Sequence, residues 1–191
     1  SPRLNSELGT SITFDPETLS YRVAWEGEFI QFDGFRWGTP RNARPKGEVW
    51  VADPDDSLAW IGGSQITDHR YHGFYRHEQR VVFSYSIEGS HILDSPWSPK
   101  DEKGILLRTL SFPDGFAGAR HRLGPLPNDK RVVTFGQGVA VRVVDGVTWL
   151  DIPKLAAGAS IGIAIGETSV LSDGHARFAT NLSLTELTRG G

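Results

Sequence analysis

His69-Arg70-Tyr71-His72-Gly73-Phe74-Tyr75-Arg76 and Arg80-Val81-Val82-Phe83-Ser84-Tyr85-Ser86-Ile87 are two alternating segments separated by His77-Glu78-Gln79, and the second runs into Glu88-Gly89-Ser90. Side chains along a strand point to opposite faces with period two, so two such runs with a short connection read as a β-hairpin. On that reading Tyr71, Gly73 and Tyr75 share one face, and His72, Phe74 and Arg76 share the other.

The same pattern extends in both directions. Ser11 to Phe14 alternates and stops at Asp15-Pro16, and Leu19 to Trp25 alternates with Leu19, Tyr21, Val23 and Trp25 on one face. Phe29, Ile30 and Phe32 form a short strand ending at Asp33-Gly34, and the Arg-, Pro-, Gly- and Asn-rich run from Phe35 to Gly47 reads as a surface loop before a strand at Glu48 to Ala52. Asp53-Pro54-Asp55-Asp56 then breaks the chain. Pro96, Pro99 and Lys100-Asp101-Glu102-Lys103 read as an exposed connection to a strand at Ile105 to Phe112. After the Pro- and Gly-rich stretch from Pro113 to Pro127 come strands at Arg131 to Phe135, Val139 to Val144 and Val147 to Leu150, the last two joined by the turn dipeptide Asp145-Gly146. Ser160 to Ile165 and Ala176 to Leu187 complete the series, and helical period is confined to a turn or two at Ile152 to Ala157 or Glu167 to Leu171. About a dozen short strands at this spacing predict an all-β fold, a single antiparallel, jelly-roll-like β-sandwich over residues 1–191.

Composition narrows the function. The 191 residues carry 20 basic and 23 acidic side chains, for a net charge of -3, with 22 glycines and no cysteine or methionine. Without cysteine the chain has no disulfide, thiolate nucleophile, iron–sulfur ligand or C-x-x-C-H haem attachment, and no cofactor is expected within it. A net acidic domain without a basic stripe predicts no nucleic-acid partner. The apolar runs fall short of the ~20 residues needed to cross a bilayer, so no membrane span is expected. A start at Ser1-Pro2-Arg3 reads as a processed chain or a module of a larger protein.

Several motifs invite chemistry. Gly158-Ala159-Ser160-Ile161-Gly162 matches the G-x-S-x-G elbow, but Ile161, Ile163 and Ile165 continue a strand where the elbow needs a following helix. His69, His72 and His77 have metal-like spacing, yet residues three apart in a strand face opposite ways, so they read as surface histidines. Glu26 and Glu28 are two apart and can share a face, as a glycosidase carboxylate pair does. Asp53, Asp55 and Asp56 lack the glycine and distal glutamate of a calcium loop. The run Phe35-Arg36-Trp37-Gly38-Thr39-Pro40-Arg41-Asn42-Ala43-Arg44-Pro45-Lys46 interleaves planar aromatics with arginine, which suits stacking on sugar rings and pairing with carboxylates. Arg36, Trp37, Arg41 and Arg44 are therefore the candidate ligand-binding residues.

Phe14-Asp15, Thr18-Leu19, Ala24-Trp25-x-Gly27-x-Phe29, Gly47-Glu48, Tyr71-x-Gly73-Phe74-Tyr75, Arg80-Val81-Val82-x-x-Tyr85, Arg108-Thr109 and the closing Leu187-Thr188-x-Gly190-Gly191 carry a wider similarity. Over most of its length the chain resembles an uncharacterised β-domain of very large exported proteins of planctomycete-like bacteria, where that domain accompanies c-type cytochrome modules and quinoprotein-dehydrogenase-like propellers. The resemblance implies export to the periplasm or cell surface and partner domains or subunits that carry haem in an electron-transfer assembly. It supplies no catalytic residues. The expected function is a non-catalytic accessory domain that presents Trp37 and its arginines to a carbohydrate or a partner. The alternatives are a carbohydrate-active enzyme using Glu26, Glu28 or an aspartate, and a purely structural assembly subunit.

Overall fold

A computed structural model describes residues 3–5, 9–32, 35–36, 39–40, 43–78, 80–99, 101–181 and 183–188. In chain order its strands begin with β1 (Arg3–Asn5), β2 (Thr10–Asp15), β3 (Ser20–Phe32), β4 (Phe35–Arg36), β5 (Thr39–Pro40) and β6 (Ala43–Ala52). They continue with β7 (Trp60–Ile61), β8 (His69–His77), β9 (Arg80–Ile87), β10 (Ser90–Trp97), β11 (Ile105–Phe112) and β12 (Ala119–Pro125). The series closes with β13 (Lys130–Phe135), β14 (Ala140–Val144), β15 (Val147–Ile152) and β16 (Ala159–Glu167), followed by α1 (Asp173–Ala179) and α2 (Leu184–Leu187).

The all-β expectation holds. Among the described residues the strands form antiparallel sheets in the orders β1-β2-β3-β6, β13-β16-β11-β10-β9-β8 and β14-β15-β12-β7, with β4-β5 as a two-stranded ribbon. One continuous apolar cluster draws on all three larger sheets: Ile12, Tyr21 and Trp50 from the first, Tyr85, Leu110 and Ile163 from the second, and Trp60, Leu123 and Leu150 from the third. The quoted hairpin is β8 and β9, and the Asp145-Gly146 turn joins β14 to β15 with both residues at positive φ, 51° and 78°.

Four readings are corrected. The run from Phe35 to Gly47 is less of a loop than expected, because β6 begins at Ala43 and pairs with Phe32 at the end of β3. The stretch before Pro96 is a strand: β10 lies between β9 and β11. Its alternation is disguised by Asp94, Ser95 and Pro96, of which Asp94 is buried because its charge is matched inside the core. Its pairing with β9 stops at Asp94, so Pro96 falls where that side of β10 is an edge and a missing N–H is tolerated. Within the Pro113 to Pro127 stretch, Ala119–Pro125 is β12, which a register shift between Arg122 and Gly124 accommodates.

Finally, where the sequence predicts a strand at Ala176 to Leu187, the chain carries the end of α1 and the short α2. The Ser172 N–H donates to His175 Nδ1 at 3.0 Å, Asp173 occupies the first turn, and Ala176 and Ala179 are buried three residues apart. Phe178, between the two buried alanines, is exposed. Helix α1 closes the outer face of the six-stranded sheet over Ile105, Leu107 and Ala164. Gly162 makes that possible, since a Cβ there would lie 1.8 Å from the Ala176 carbonyl oxygen.

Candidate functional site

Two groups of polar side chains stand out, one sealed in the core and one open. In the core, Arg108 on β11 donates from Nε to Asp94 Oδ1 at 2.8 Å and from Nη2 to Asp94 Oδ2 at 2.5 Å. The Tyr21 and Tyr85 hydroxyls donate to the same carboxylate at 2.7 and 3.0 Å. Arg108 Nη1 meets His121 Nε2 at 2.7 Å, and His121 stacks on Trp60 with centroids 4.1 Å apart. Burial, and then the neighbouring Asp94 charge, pushes both tyrosine hydroxyls well above their usual range. Burial would depress the Arg108 guanidinium, but Asp94 overrides it and keeps the group protonated.

Burial and the Arg108 charge hold His121 well below the usual imidazole range, against a weaker opposing pull from the Ala59 carbonyl, which already accepts the Arg122 amide at 2.7 Å. The neutral ring thus accepts from Arg108 at Nε2 and carries its proton on Nδ1, which has no hydrogen-bond partner. Asp94, Arg108 and His121 are each no more than 2% exposed. This network ties the three sheets together, and none of its residues lines the grooves described among these residues.

The open group lies on the outer face of the β14-β15-β12-β7 sheet. Because Leu150 and Ile152 of β15 point into the core, Trp149 and Asp151 point out. Register then sets their neighbours: Trp149 lies between Arg122 and Arg142, and Asp151 between Arg120 and Ala140. Arg142 Nε donates to Asp151 Oδ2, and Arg120 Nε forms an ion pair with Oδ1 at 3.2 Å, without the geometry of a hydrogen bond. The Arg120 guanidinium sits 4.9 Å from the Trp149 ring centre and that of Arg122 at 6.0 Å.

Two surface grooves meet here, both lined by Arg120 and Asp151. One continues along Arg142 and Val144, and the other along Ile61, Gly62, Gly63, Gly118 and Gly138 to Ile152 and Pro153. The second groove's glycines leave its backbone open to close approach. Arg122 is committed beneath the face: its Nε bonds Asp53 at 2.8 Å, and its other nitrogens hold Ser57 and Asp55.

The residues singled out in the sequence are dispersed. Trp37 and Arg41 lie outside the described residues, as does the side chain of Arg36, while Arg44 stands opposite Gln31 in the β3–β6 ladder, on a different sheet from Trp149. Glu26 accepts the Gly104 N–H at 3.2 Å, whereas Glu28 pairs with Lys46 Nζ at 2.6 Å, so each carboxylate has its own partner. Asp53 and Asp55 anchor Arg122, Asp56 pairs with Arg22 at 2.7 Å, and the acidic turn is thereby explained without an ion.

A register shift at Tyr71/Gly73, with Gly73 at φ 131°, brings the His72 ring to 5.8 Å from His91 on β10, and these rings bond Ser86 and Ser84. Among the described residues no three His, Asp or Glu side chains are placed to hold a metal. Ser160 lies in β16, opposite Ser111. The sequence reading missed Arg120, Arg142, Trp149 and Asp151. Their only local signal is the outward parity of Trp149 and Asp151 in β15, because β12 was hidden in a Pro- and Gly-rich stretch.

The molecule is thus an all-β protein with a sealed ionic core and one open Trp–Arg face. Residues 12–94 match a family model described as a domain of unknown function, DUF6797. No curated protein and no solved structure matches the chain. The matched segment contains Tyr21, Tyr85 and Asp94 of the core network and ends before Arg108, His121 and the whole Trp149 face. Among the described residues no helix is long and apolar enough to cross a membrane.

Proposed function

We propose that this chain is a non-catalytic recognition module that binds a saccharide on the open face of the β14-β15-β12-β7 sheet. The observation that carries this reading is the half-buried Trp149 indole among Arg120, Arg122 and Arg142, two residues along β15 from Asp151, which lines both grooves. An indole offers flat apolar area to the C–H face of a sugar ring, and guanidinium and carboxylate groups beside it supply directed donors and an acceptor for hydroxyls. These side chains stand on paired strands rather than loops, so little ordering is needed when a ligand arrives. The separate partners of Glu26 and Glu28 favour binding over glycoside hydrolysis, which needs two carboxyl groups flanking one bond. The test is affinity electrophoresis and calorimetry of the chain against a panel of soluble polysaccharides. Binding that Trp149→Ala removes without lowering the melting temperature supports the reading; no binding across the panel overturns it.

The wider setting proposed is an exported, haem-bearing assembly, with this chain docked to the partner domains. Its support is the resemblance in strand and turn residues described above. Isolation of the native protein followed by intact-mass and haem analysis tests it: a free 21.0 kDa species without a haem partner would remove it.

A further inference from the structure

We infer that the saccharide taken by this face is acidic, bearing carboxylate or sulfate groups; this rests on the recognition reading above. The argument is a comparison of charge pairing within one molecule. Four cations paired elsewhere each have at least their own carboxylate: Arg108 has Asp94, Arg122 has Asp53 and Asp55, Arg22 has Asp15 and Asp56, and Lys130 has Asp129, Glu48 and Glu167. On the open face the ratio reverses, because Arg120 and Arg142 share the single carboxylate of Asp151. Those three are the only charged residues lining the two grooves, so the lining carries a positive excess on a chain whose net charge is -3.

The geometry of the sharing matters as much as the count. Asp151 faces the Nε atoms of both arginines, from the two strands that flank β15: Arg142 is held by a hydrogen bond and Arg120 by charge alone. Among the described residues neither arginine has a hydrogen bond from its terminal Nη atoms. Those paired N–H groups match the spacing of two oxygens on a carboxylate or sulfate. The side chain of Arg142 is 66% exposed and that of Arg120 43%, so an incoming anion meets them without opening the fold. The Arg120 guanidinium lies over the Trp149 ring, 4.9 Å from its centre, so cation and indole meet a ligand as one unit.

The experiment uses the full chain with four polymers: polygalacturonate as the carboxylated probe, dextran sulfate as the sulfated one, dextran as the neutral one, and duplex DNA as a polyanion without the sugar-ring surface. The expected result is retention by one or both acidic polysaccharides, weaker at higher salt, with a loss of about tenfold in Arg142→Gln and only partial recovery in Arg142→Lys, which restores charge without the fork. Dextran bound as well as the acidic polymers overturns this inference and leaves saccharide recognition standing. DNA bound as tightly as the acidic polysaccharides reduces the face to bare charge and overturns it as well. An unchanged Arg142→Gln affinity overturns the assignment of the site, and no polymer bound overturns both readings together.

Discussion

Arg108 and Asp94 meet as a two-bonded fork between neighbouring central strands, with the arginine 2% exposed and the aspartate fully buried. A buried pair of this kind gives up the hydration of both charges, so its net contribution is modest while its rupture is severe. Here rupture is made worse by dependence: two tyrosine hydroxyls and the His121 Nε2 atom make their hydrogen bonds to these two side chains.

Asp94→Asn keeps the volume and removes the charge, leaving a buried guanidinium uncompensated. The expected loss is about 3 to 5 kcal/mol, read as a lower urea midpoint at constant slope. A loss under about 1 kcal/mol would mean that Arg108 reaches solvent or another acceptor.

His121 makes stability depend on pH. Its folded-state affinity for a proton lies well below the usual value because the ring is buried and faces Arg108, so the unfolded chain binds the proton first. Its contribution is whole above the unfolded imidazole value near 6.5 and is lost as pH falls below it, with a slope of up to about 1.4 kcal/mol per pH unit. Half-buried His91, lowered by burial and then by His72, shifts stability in the same direction. Urea midpoints from pH 7.5 down to 5 should therefore fall, and a His91→Ala background isolates the His121 share. A flat profile in that background would show that His121 charges in place.

Gly162→Ala tests the seat of α1. The added methyl would overlap the Ala176 carbonyl, so the helix must lift from β16, at a cost of roughly 1 to 3 kcal/mol. Gly63→Ala, where nothing lies within 4 Å and φ is not positive, should stay within about 0.5 kcal/mol. Thermal melts of the two variants separate a steric requirement from the general effect of replacing glycine.

Trp149→Ala should weaken saccharide binding by roughly 1 to 3 kcal/mol while Trp149→Phe keeps part of it, since a smaller ring still offers a flat face. Calorimetry with the best polymer from the panel reads the difference. Equal affinities for all three proteins would remove the indole from the site.

Local order was legible wherever the chemistry is local. The period-two run at Arg80 to Ile87, the Asp145-Gly146 turn and the absence of cysteine each follow from neighbouring residues or from a count, and they determined the all-β class and excluded thiol chemistry. Besides the two- and three-residue strands, two longer ones, β10 and β12, escaped because their polar residues are satisfied from far away. Asp94 can sit in the middle of β10 only because Arg108 arrives beside it, and β12 can carry His121 and Arg122 inward of solvent only because Arg108, Asp53 and Ser57 receive them. The candidate site escaped for the same reason. Arg120, Arg142, Trp149 and Asp151 come from three strands; the Asp145-Gly146 turn sets β14 beside β15, but nothing local shows that β12, with Arg120, lies on the other side. Strand alternation decides which way a side chain points; sheet order and register, set by burying the apolar face of every strand at once, decide what it meets there.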